Sequence, residues 1–510
     1  MRAHPPLLEV SDDVSIDDEL GSNPDQNLVI QIPRSLESLF AVAPLSYYLG
    51  ASIRVSHDVT PVIKFDSLVY QFPGANTFAE EVAAIMTRVF YLDCLVRNAG
   101  PYGFEIHELD LLDRLPLDTE RLYGLSMSKR LKAYLDVPFD DVAECFPEWP
   151  LAVSMDSKVD NIPALPHLLD RLSLIFPPES KPIDERTIVE RSLNDFRRSS
   201  TNDRCNTDDH RTEKIVPELR YGNVHGWMAD GLPVDAFKCP PEAFSNRLDY
   251  LDQSHPFSVA VILNDVDMDA EFSKVVTTYQ SRADTFSIDV DVMYKLCTDE
   301  LATLFRSSYD FVHYIGHCDP EGLRCHDGHL SVSDIPEVSV QSFFLNACRS
   351  YEEGLDLIRR GSVAGAVTIG DVLDEQARKV GTTFARLMGR GYSIEQSLRL
   401  SRARAIMNRQ YGVVGDGTHV LTQGISSPPP ILSLKKTTGG HYLLSSNCNS
   451  PNFHGSIYRL KTAPKPLILG NQTPHAVTER ELKAVLRESE EPVIYNDKLY
   501  WSDELLEELF

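Results

Sequence analysis

The chain has 510 residues, of which 42% are apolar, and this length and composition suit roughly two to four globular domains. It carries 49 Lys and Arg against 75 Asp and Glu, a net charge of −26, so it lacks the basic surface of a nucleic-acid-binding protein. The sequence shows neither an apolar run long enough to span a bilayer nor a signal-peptide pattern at its start. We therefore expect a cytoplasmic protein without a membrane span.

The acidic residues and the cysteines indicate the cellular environment of the protein and whether it contains disulfides. Asp outnumbers Glu by 43 to 32, and Arg outnumbers Lys by 33 to 16. This mixture favours a high-salt cytoplasm, such as that of a halophilic archaeon, in which a dense acidic surface keeps a protein dispersed; an ordinary acidic protein is the alternative. The nine cysteines are odd in number and form no CxxC pair, so we expect no disulfide framework.

The first domain is predicted over residues 1–177 as an α/β unit. Thr77 and Glu80 predict a capping box at the start of its longest helix. We find no motif of catalysis here and expect a role in recognition or regulation. Strands are predicted at 27–32, 52–56, 61–65 and 67–72, and helices at 35–50, 77–100, 118–135 and 163–175.

A linker and lead-in are predicted over residues 178–256, because residues 178–215 are polar and poor in aliphatic side chains. Residues 220–244 are interrupted by Gly and Pro, which predicts a hairpin-like lead-in. Within it, residues 195–215 are a candidate for self-cleavage. Residues 421–510 contain short apolar runs separated by turn residues, followed by one helix, which predicts a small β-rich appendage.

Residues 257–420 show a regular alternation of strands and helices, which implies a mostly parallel sheet flanked by helices on both faces. The predicted fold class is therefore α/β. Strands are predicted at 257–265, 286–294, 311–317, 342–348 and 362–370, and helices at 269–283, 298–308, 352–361, 374–391 and 393–412.

Two of these strands end in side chains that suit nucleophilic catalysis. The strand "FVHYIGH" ends at His317, and the strand "SFFLNAC" ends at Cys348. Ligands bind beyond the carboxyl ends of parallel strands, and neighbouring strands lie about 5 Å apart, or twice that with one strand between them. An imidazole beside a thiol can take its proton and activate the sulfur as a nucleophile. The backbone amides of Cys318 and Cys348 are candidates for binding the oxyanion of an acyl-transfer intermediate.

The strand ending in His317, the strand ending "NACRS" and the following "VAGAVTIGDVLDEQA" together resemble the CHAT-domain branch of the caspase-like cysteine peptidases, a clan that includes separase. The resemblance covers residues 257–420 and implies a caspase-like sheet, no cofactor and no catalytic metal. It also implies a cysteine endopeptidase in which Cys348 is the nucleophile and His317 the general base and acid. The family usually has Gly in the position of Cys318, which is a departure from its pattern.

The same resemblance implies a pocket for the residue before the cleaved bond. Asp374 lies where many members carry an acid, and Asp371 is a rival, so cleavage after Arg or Lys is expected. Capping of the helix that starts near residue 374 is the structural alternative for either carboxylate. The expected partners are a protein or peptide substrate and a regulatory protein, in a setting such as defence or regulated cell death.

Two other functions compete with a peptidase. Cys318, Cys325, His326 and His329 are soft ligands that suit a structural zinc ion, although their spacing matches no familiar zinc signature. The caspase-like fold also suits a non-catalytic scaffold that only binds partners. The presence of both a histidine and a cysteine at the two strand ends favours the peptidase.

Overall fold

The structure is a computed structural model of the 510-residue chain, and it divides into two compact units. The first unit contains residues 1–177, 219–224 and 430–510, and the second contains residues 178–218 and 225–429. The residues described are all except 1–3, 14, 17–26, 58–59, 67, 184–212, 251–256, 266–267, 287, 406–407, 422–427, 438–440 and 461.

The first unit contains one long helix, several shorter helices and short strands that pair both in parallel and antiparallel. That helix, Phe78–Arg97, begins at the Thr77–Glu80 capping box, which confirms the prediction. Its buried Asp93 binds the guanidinium groups of Arg97 and Arg130. The strands are Leu28–Pro33, Ser52–Ser56, Val62–Phe65, Leu68–Gln71, Leu151–Met155, Leu174–Phe176, Ile431–Lys436, Tyr442–Asn447, Ile457–Tyr458, Leu467–Ile468, His475–Val477, Pro492–Tyr495 and Lys498–Trp501. The helices are Leu36–Leu49, Phe78–Arg97, Thr119–Tyr123, Met127–Leu135, Leu165–Asp170, Glu479–Glu488 and Ser502–Leu509.

Residues 430–510, for which the sequence predicts an appendage, pack with residues 1–177 in this unit. The ring of His454 lies 4.2 Å from the ring centroids of both Phe90 and Trp149. Burial lowers the pKa of His454 to about 3, so its ring is neutral at physiological pH. This aromatic cluster joins segments that are far apart in the chain, so it has no local sequence signal.

The second unit is built on a mostly parallel sheet. Its strands are β1 (Val224–Met228), β2 (Phe237–Lys238), β3 (Phe257–Leu263), β4 (Ile288–Tyr294), β5 (Phe311–Ile315), the small β6 (Cys318–Asp319), β7 (Gly322–Arg324) and β8 (His329–Leu330), then β9 (Ser342–Asn346), β10 (Ala364–Thr368) and β11 (Tyr411–Gly415). Its helices are α1 (Glu242–Leu248), α2 (Asp269–Phe286), α3 (Thr298–Phe305), α4 (Tyr351–Arg359), α5 (Asp374–Met388) and α6 (Ile394–Arg402). The strands Ser180–Pro182, Lys214–Pro217 and Leu232–Pro233 form a separate small sheet.

The sheet order within this unit is β4-β3-β5-β9-β10-β11-β2-β1. Only the β10–β11 pairing is antiparallel. All five residues of β5 and of β9 are buried, which fits strands covered by helices on both faces. The α/β fold class with a mostly parallel sheet is therefore confirmed.

Several local predictions need correction. The helix predicted over 163–175 ends at Asp170, and Leu174–Phe176 is a strand. The helix predicted over 118–135 is two helices, Thr119–Tyr123 and Met127–Leu135, and the described part of residues 421–510 contains two helices and not one. The helix predicted over 393–412 ends at Arg402, and Tyr411–Gly415 forms the antiparallel strand β11 instead. The turn residue Gly412 and the short apolar run after it carry a weak strand signal next to a strong helical period, so the helix dominates the sequence pattern. The lead-in at 220–244 contributes β1 and β2, which pair in parallel and do not form a hairpin.

Part of the linker predicted over 178–256 lies outside the described residues, including most of the candidate cleavage segment 195–215. None of the helices in the described part of the chain combines the length and the apolar character that crossing a bilayer requires.

Candidate active site

The turn after β5 is built to present His317 at the edge of the sheet. The hydroxyl of Tyr314 donates to the carbonyl oxygens of His317, at 3.1 Å, and of Arg324, at 2.6 Å. A β-carbon at Gly316 would lie 2.8 Å from that hydroxyl oxygen, so glycine is required for the tyrosine to fold back over the turn. The backbone of His317 is thus held from within, while 38% of its side chain remains exposed.

The turn after β9 is held just as firmly around Cys348. The Ser350 hydroxyl donates to the carbonyl of Leu345 at 2.9 Å, and the Thr368 hydroxyl donates to the carbonyl of Ala347. Arg349, directly after the cysteine, has a left-handed backbone with φ of 58°. Such a conformation is unfavourable for a residue with a long side chain, and strain of this kind concentrates at functional sites.

The sheet brings these two turns together. β5 and β9 are neighbours, and Ile315 is paired with Asn346. His317 and Cys348 each follow two residues later, at the carboxyl edge of adjacent strands that lie about 5 Å apart. The sequence left open whether the two strands are neighbours, and the structure places the two residues at one edge of the sheet, on adjacent strands.

A third side chain at this edge of the sheet, the carboxylate of Asp265, was not predicted from the sequence. Asp265 follows β3, the other neighbour of β5, and its Oδ2 lies 2.6 Å from Nε2 of His317. The preceding Asn264 fixes the local backbone, because its Oδ1 accepts the amide of Leu296 at 2.8 Å. The sequence signal is a polar pair at the end of an apolar strand, which is indistinguishable from an ordinary turn before the strand order is known.

The sulfur of Cys348 lies against the backbone that leads into α5. The amide of Val372 donates to Sγ at 3.3 Å, and the thiol donates to the carbonyl of the same residue at 3.7 Å. The amide favours the thiolate, because the ionised sulfur is the stronger acceptor, and the longer contact to the carbonyl can form only with the protonated thiol.

The predicted pocket residues occupy different environments. The carboxylate of Asp371 accepts two hydrogen bonds from the Arg349 guanidinium, both of 2.9 Å. Asp374 is the first residue of α5, whose N-cap is Leu373, so neither predicted aspartate is the N-cap; the side chain of Asp374 lies outside the described part. The roles of both aspartates in substrate binding stay predictions.

Cys318 opens the small antiparallel sheet of β6, β7 and β8. Its backbone is not left-handed, so a cysteine is accommodated at this position without that kind of strain. Its predicted part in binding an oxyanion stays a prediction.

The loop residues considered for zinc do not converge. Within the described ranges, no group of three or more His, Cys, Asp or Glu side chains is arranged to hold a metal ion. His329 binds Asp319 at 2.9 Å. Burial raises the pKa of Cys325 to about 12, which opposes the thiolate form that zinc requires.

Comparison with known proteins gives a limited result. No family model matches the chain, and no curated protein matches its sequence. Among solved structures, the Arg specific cysteine proteinase gingipain R matches with 9% identity over 59% of this chain and 84% of that chain, at a TM-score of 0.38. The complex of Porphyromonas gingivalis RgpB pro- and mature domains matches with 8% identity over 58% of this chain and 86% of that chain, at a TM-score of 0.36. The Saccharomyces cerevisiae separase–securin complex matches with 14% identity over 39% of this chain and 16% of that chain, at a TM-score of 0.29.

Gingipain R is a cysteine proteinase, and it matches this chain at low identity. A likeness of this size assigns no activity or substrate to the chain. A CHAT domain and a halophilic origin are shown by none of the comparisons, and both stay predictions.

Proposed function

We propose that the protein is a cysteine endopeptidase with Cys348 as nucleophile and His317 as general base and acid. The observation that carries the proposal is the edge of the sheet, where three adjacent strands, β3, β5 and β9, deliver a carboxylate, an imidazole and a thiol in that order. A thiol and an imidazole at the ends of neighbouring strands, with a third group that orients the imidazole, is the arrangement we would expect of a nucleophilic hydrolase.

The hydrogen bond to Asp265 selects the working tautomer of His317. Nε2 donates to the carboxylate, which leaves Nδ1 as the nitrogen that accepts a proton from the thiol. The carboxylate also stabilises the imidazolium that forms when the thiolate appears. Asp265 therefore orients the base without taking the proton itself.

The proposed reaction has two halves. The sulfur of Cys348 attacks the peptide carbonyl, its S–H proton passes through His317 to the departing amine, and the C–N bond breaks to give a thioester. Water then attacks the thioester with its proton taken by His317, which releases the carboxylic acid and returns the thiol. Local amides, those of Cys318 and Cys348 among them, are proposed to bind the oxyanion in both halves.

The finer features of the function are proposals of the same kind. The substrate is a protein cut after Arg or Lys, with Asp374 or Asp371 as candidate recognition acids. The first unit recognises the substrate or a regulatory protein, and the enzyme works in the cytoplasm as a CHAT-type peptidase.

The test compares the purified full chain with its Cys348→Ala and His317→Ala variants on a peptide library read by mass spectrometry. Both variants should lose cleavage that the wild type performs, while Cys145→Ala, a partly buried cysteine of the first unit, should keep it. Equal turnover by the wild type and both site variants would remove the peptidase proposal.

A further inference from the structure

Arg349 has an unfavourable left-handed backbone conformation, and its side chain forms an ion pair with Asp371. A φ of 58° suits glycine or asparagine better than arginine, yet arginine follows the cysteine. Its amide also donates to the carbonyl of Gly370 at 3.3 Å, so the turn after β9 is tied to the segment after β10. The position of the backbone is therefore fixed by that contact, and the identity of the side chain needs a separate reason.

The reason is a two-pronged ion pair with Asp371. Nε of Arg349 donates to Oδ1 and a terminal nitrogen donates to Oδ2, both at 2.9 Å. A planar guanidinium holds a carboxylate in one orientation in a way that a single ammonium charge does not. The pair therefore sets the position of Asp371 relative to the turn that carries Cys348.

The residue that this pair positions is Val372, whose amide donates to Sγ of Cys348 at 3.3 Å. Val372 follows Asp371 directly, so a shift of the carboxylate shifts the amide. We propose that Arg349 and Asp371 are a positioning pair that keeps the Val372 amide on the sulfur of Cys348 and thereby stabilises the thiolate. The inference rests on the proposed function only in taking Cys348 as the nucleophile.

This assignment competes with a direct role of Asp371 in binding a basic substrate side chain. A carboxylate occupied on both oxygens by Arg349 is poorly placed to receive a second cation. The charged side chains beside Cys348 include His317 with its partner Asp265 and the Arg349–Asp371 pair, and the first turn of α4 adds Glu352 and Glu353. Because all variants below leave the first pair untouched, a change in thiolate reactivity reports on the second.

The test measures alkylation of Cys348 by iodoacetamide, followed on the proteolytic fragment that contains it. The variants are Asp371→Asn, Arg349→Asn, which tolerates the left-handed backbone, and the double substitution. The control is Asp356→Asn, which removes the Arg359–Asp356 pair on α4. Arg349 and Asp371 are 36% and 49% exposed, so losing their pair should cost little stability and the variants should fold.

At neutral pH, each single variant should be alkylated about tenfold more slowly than the wild type, since a hydrogen bond to an ionised group is worth about one decade or more. At alkaline pH, where the thiol is ionised without help, the rates should converge. The double variant should be no slower than either single one, and the control should match the wild type.

Unchanged alkylation at neutral pH would overturn the positioning role. Unchanged alkylation combined with loss of cleavage after basic residues would overturn it too, and would assign Asp371 to the substrate pocket. Alkylation needs no peptide cleavage, so slower alkylation in a chain that cleaves no peptide would support the pair while the peptidase proposal fails.

Discussion

Replacing Asp265 by asparagine tests whether a carboxylate orients the imidazole of His317. The native pair has Nε2 and Oδ2 at 2.6 Å, with 16% of the aspartate side chain and 38% of the histidine side chain exposed. An asparagine amide can donate to Nε2, which moves the ring proton to Nδ1, the nitrogen needed for the thiol. The variant also loses the negative charge that stabilises the imidazolium.

The size of the effect follows from the strength of that hydrogen bond. A bond to a charged group contributes about 1.5 to 3 kcal/mol, and the exposure of both partners places this one in the lower half of the range. Since about 1.4 kcal/mol corresponds to a factor of ten in rate, kcat should fall roughly 10- to 30-fold. KM should stay near its original value, because Asp265 is proposed to act through His317 and not on the substrate.

The assay is steady-state cleavage of the best peptide found for the wild type, with kcat and KM determined separately. Asp265→Glu should recover part of the lost kcat, and Asp356→Asn on α4 should have no effect. If Asp265→Asn retains full kcat while His317→Ala is inactive, the carboxylate has no part in orienting the base.

Two further outcomes follow from buried groups. Gly316→Ala should reduce kcat/KM and lower the free energy of unfolding by about 1 to 3 kcal/mol, because its β-carbon would lie 2.8 Å from the Tyr314 hydroxyl. The control is Gly328→Ala, whose β-carbon would have no neighbour closer than 3.9 Å. This control should change neither the activity nor the thermal unfolding. Burial lowers the pKa of His313 to about 3, below the value of 6.5 expected when unfolded, so the unfolded chain binds the extra proton and stability falls as pH drops from about 6.5 towards 3. Between pH 7 and 4.5 this loss of stability is about 2 to 3 kcal/mol for one histidine. The His313→Phe variant should not show the loss, which is measured as the pH dependence of hydrogen exchange in β5 after correction for intrinsic rates. An unchanged pH dependence would show that His313 is not the titrating group.

The sequence predicts much of the second unit because its signals are local. An apolar run that ends in Gly316 and His317, and another that ends in Cys348, identify strand ends without any knowledge of their neighbours. Alternation of these strands with helices is enough to predict a parallel sheet, and in a parallel sheet strand ends of this kind share one edge. The two candidate catalytic side chains were predicted from these strand ends and from the resemblance that the flanking motifs carry, with the order of the strands left open.

The order of the strands in the sheet could not be predicted from the sequence. The features that depend on this order could not be predicted either. Asp265 becomes a partner of His317 only because β3 lies beside β5, and a polar residue after a strand carries no mark of that neighbour. The Arg349–Asp371 pair depends likewise on β9 lying beside β10. Pairing between strands far apart in the chain is set by the burial of both sheet faces and by helix packing, so periodicity determined the elements of this protein, while tertiary structure decided which side chains meet.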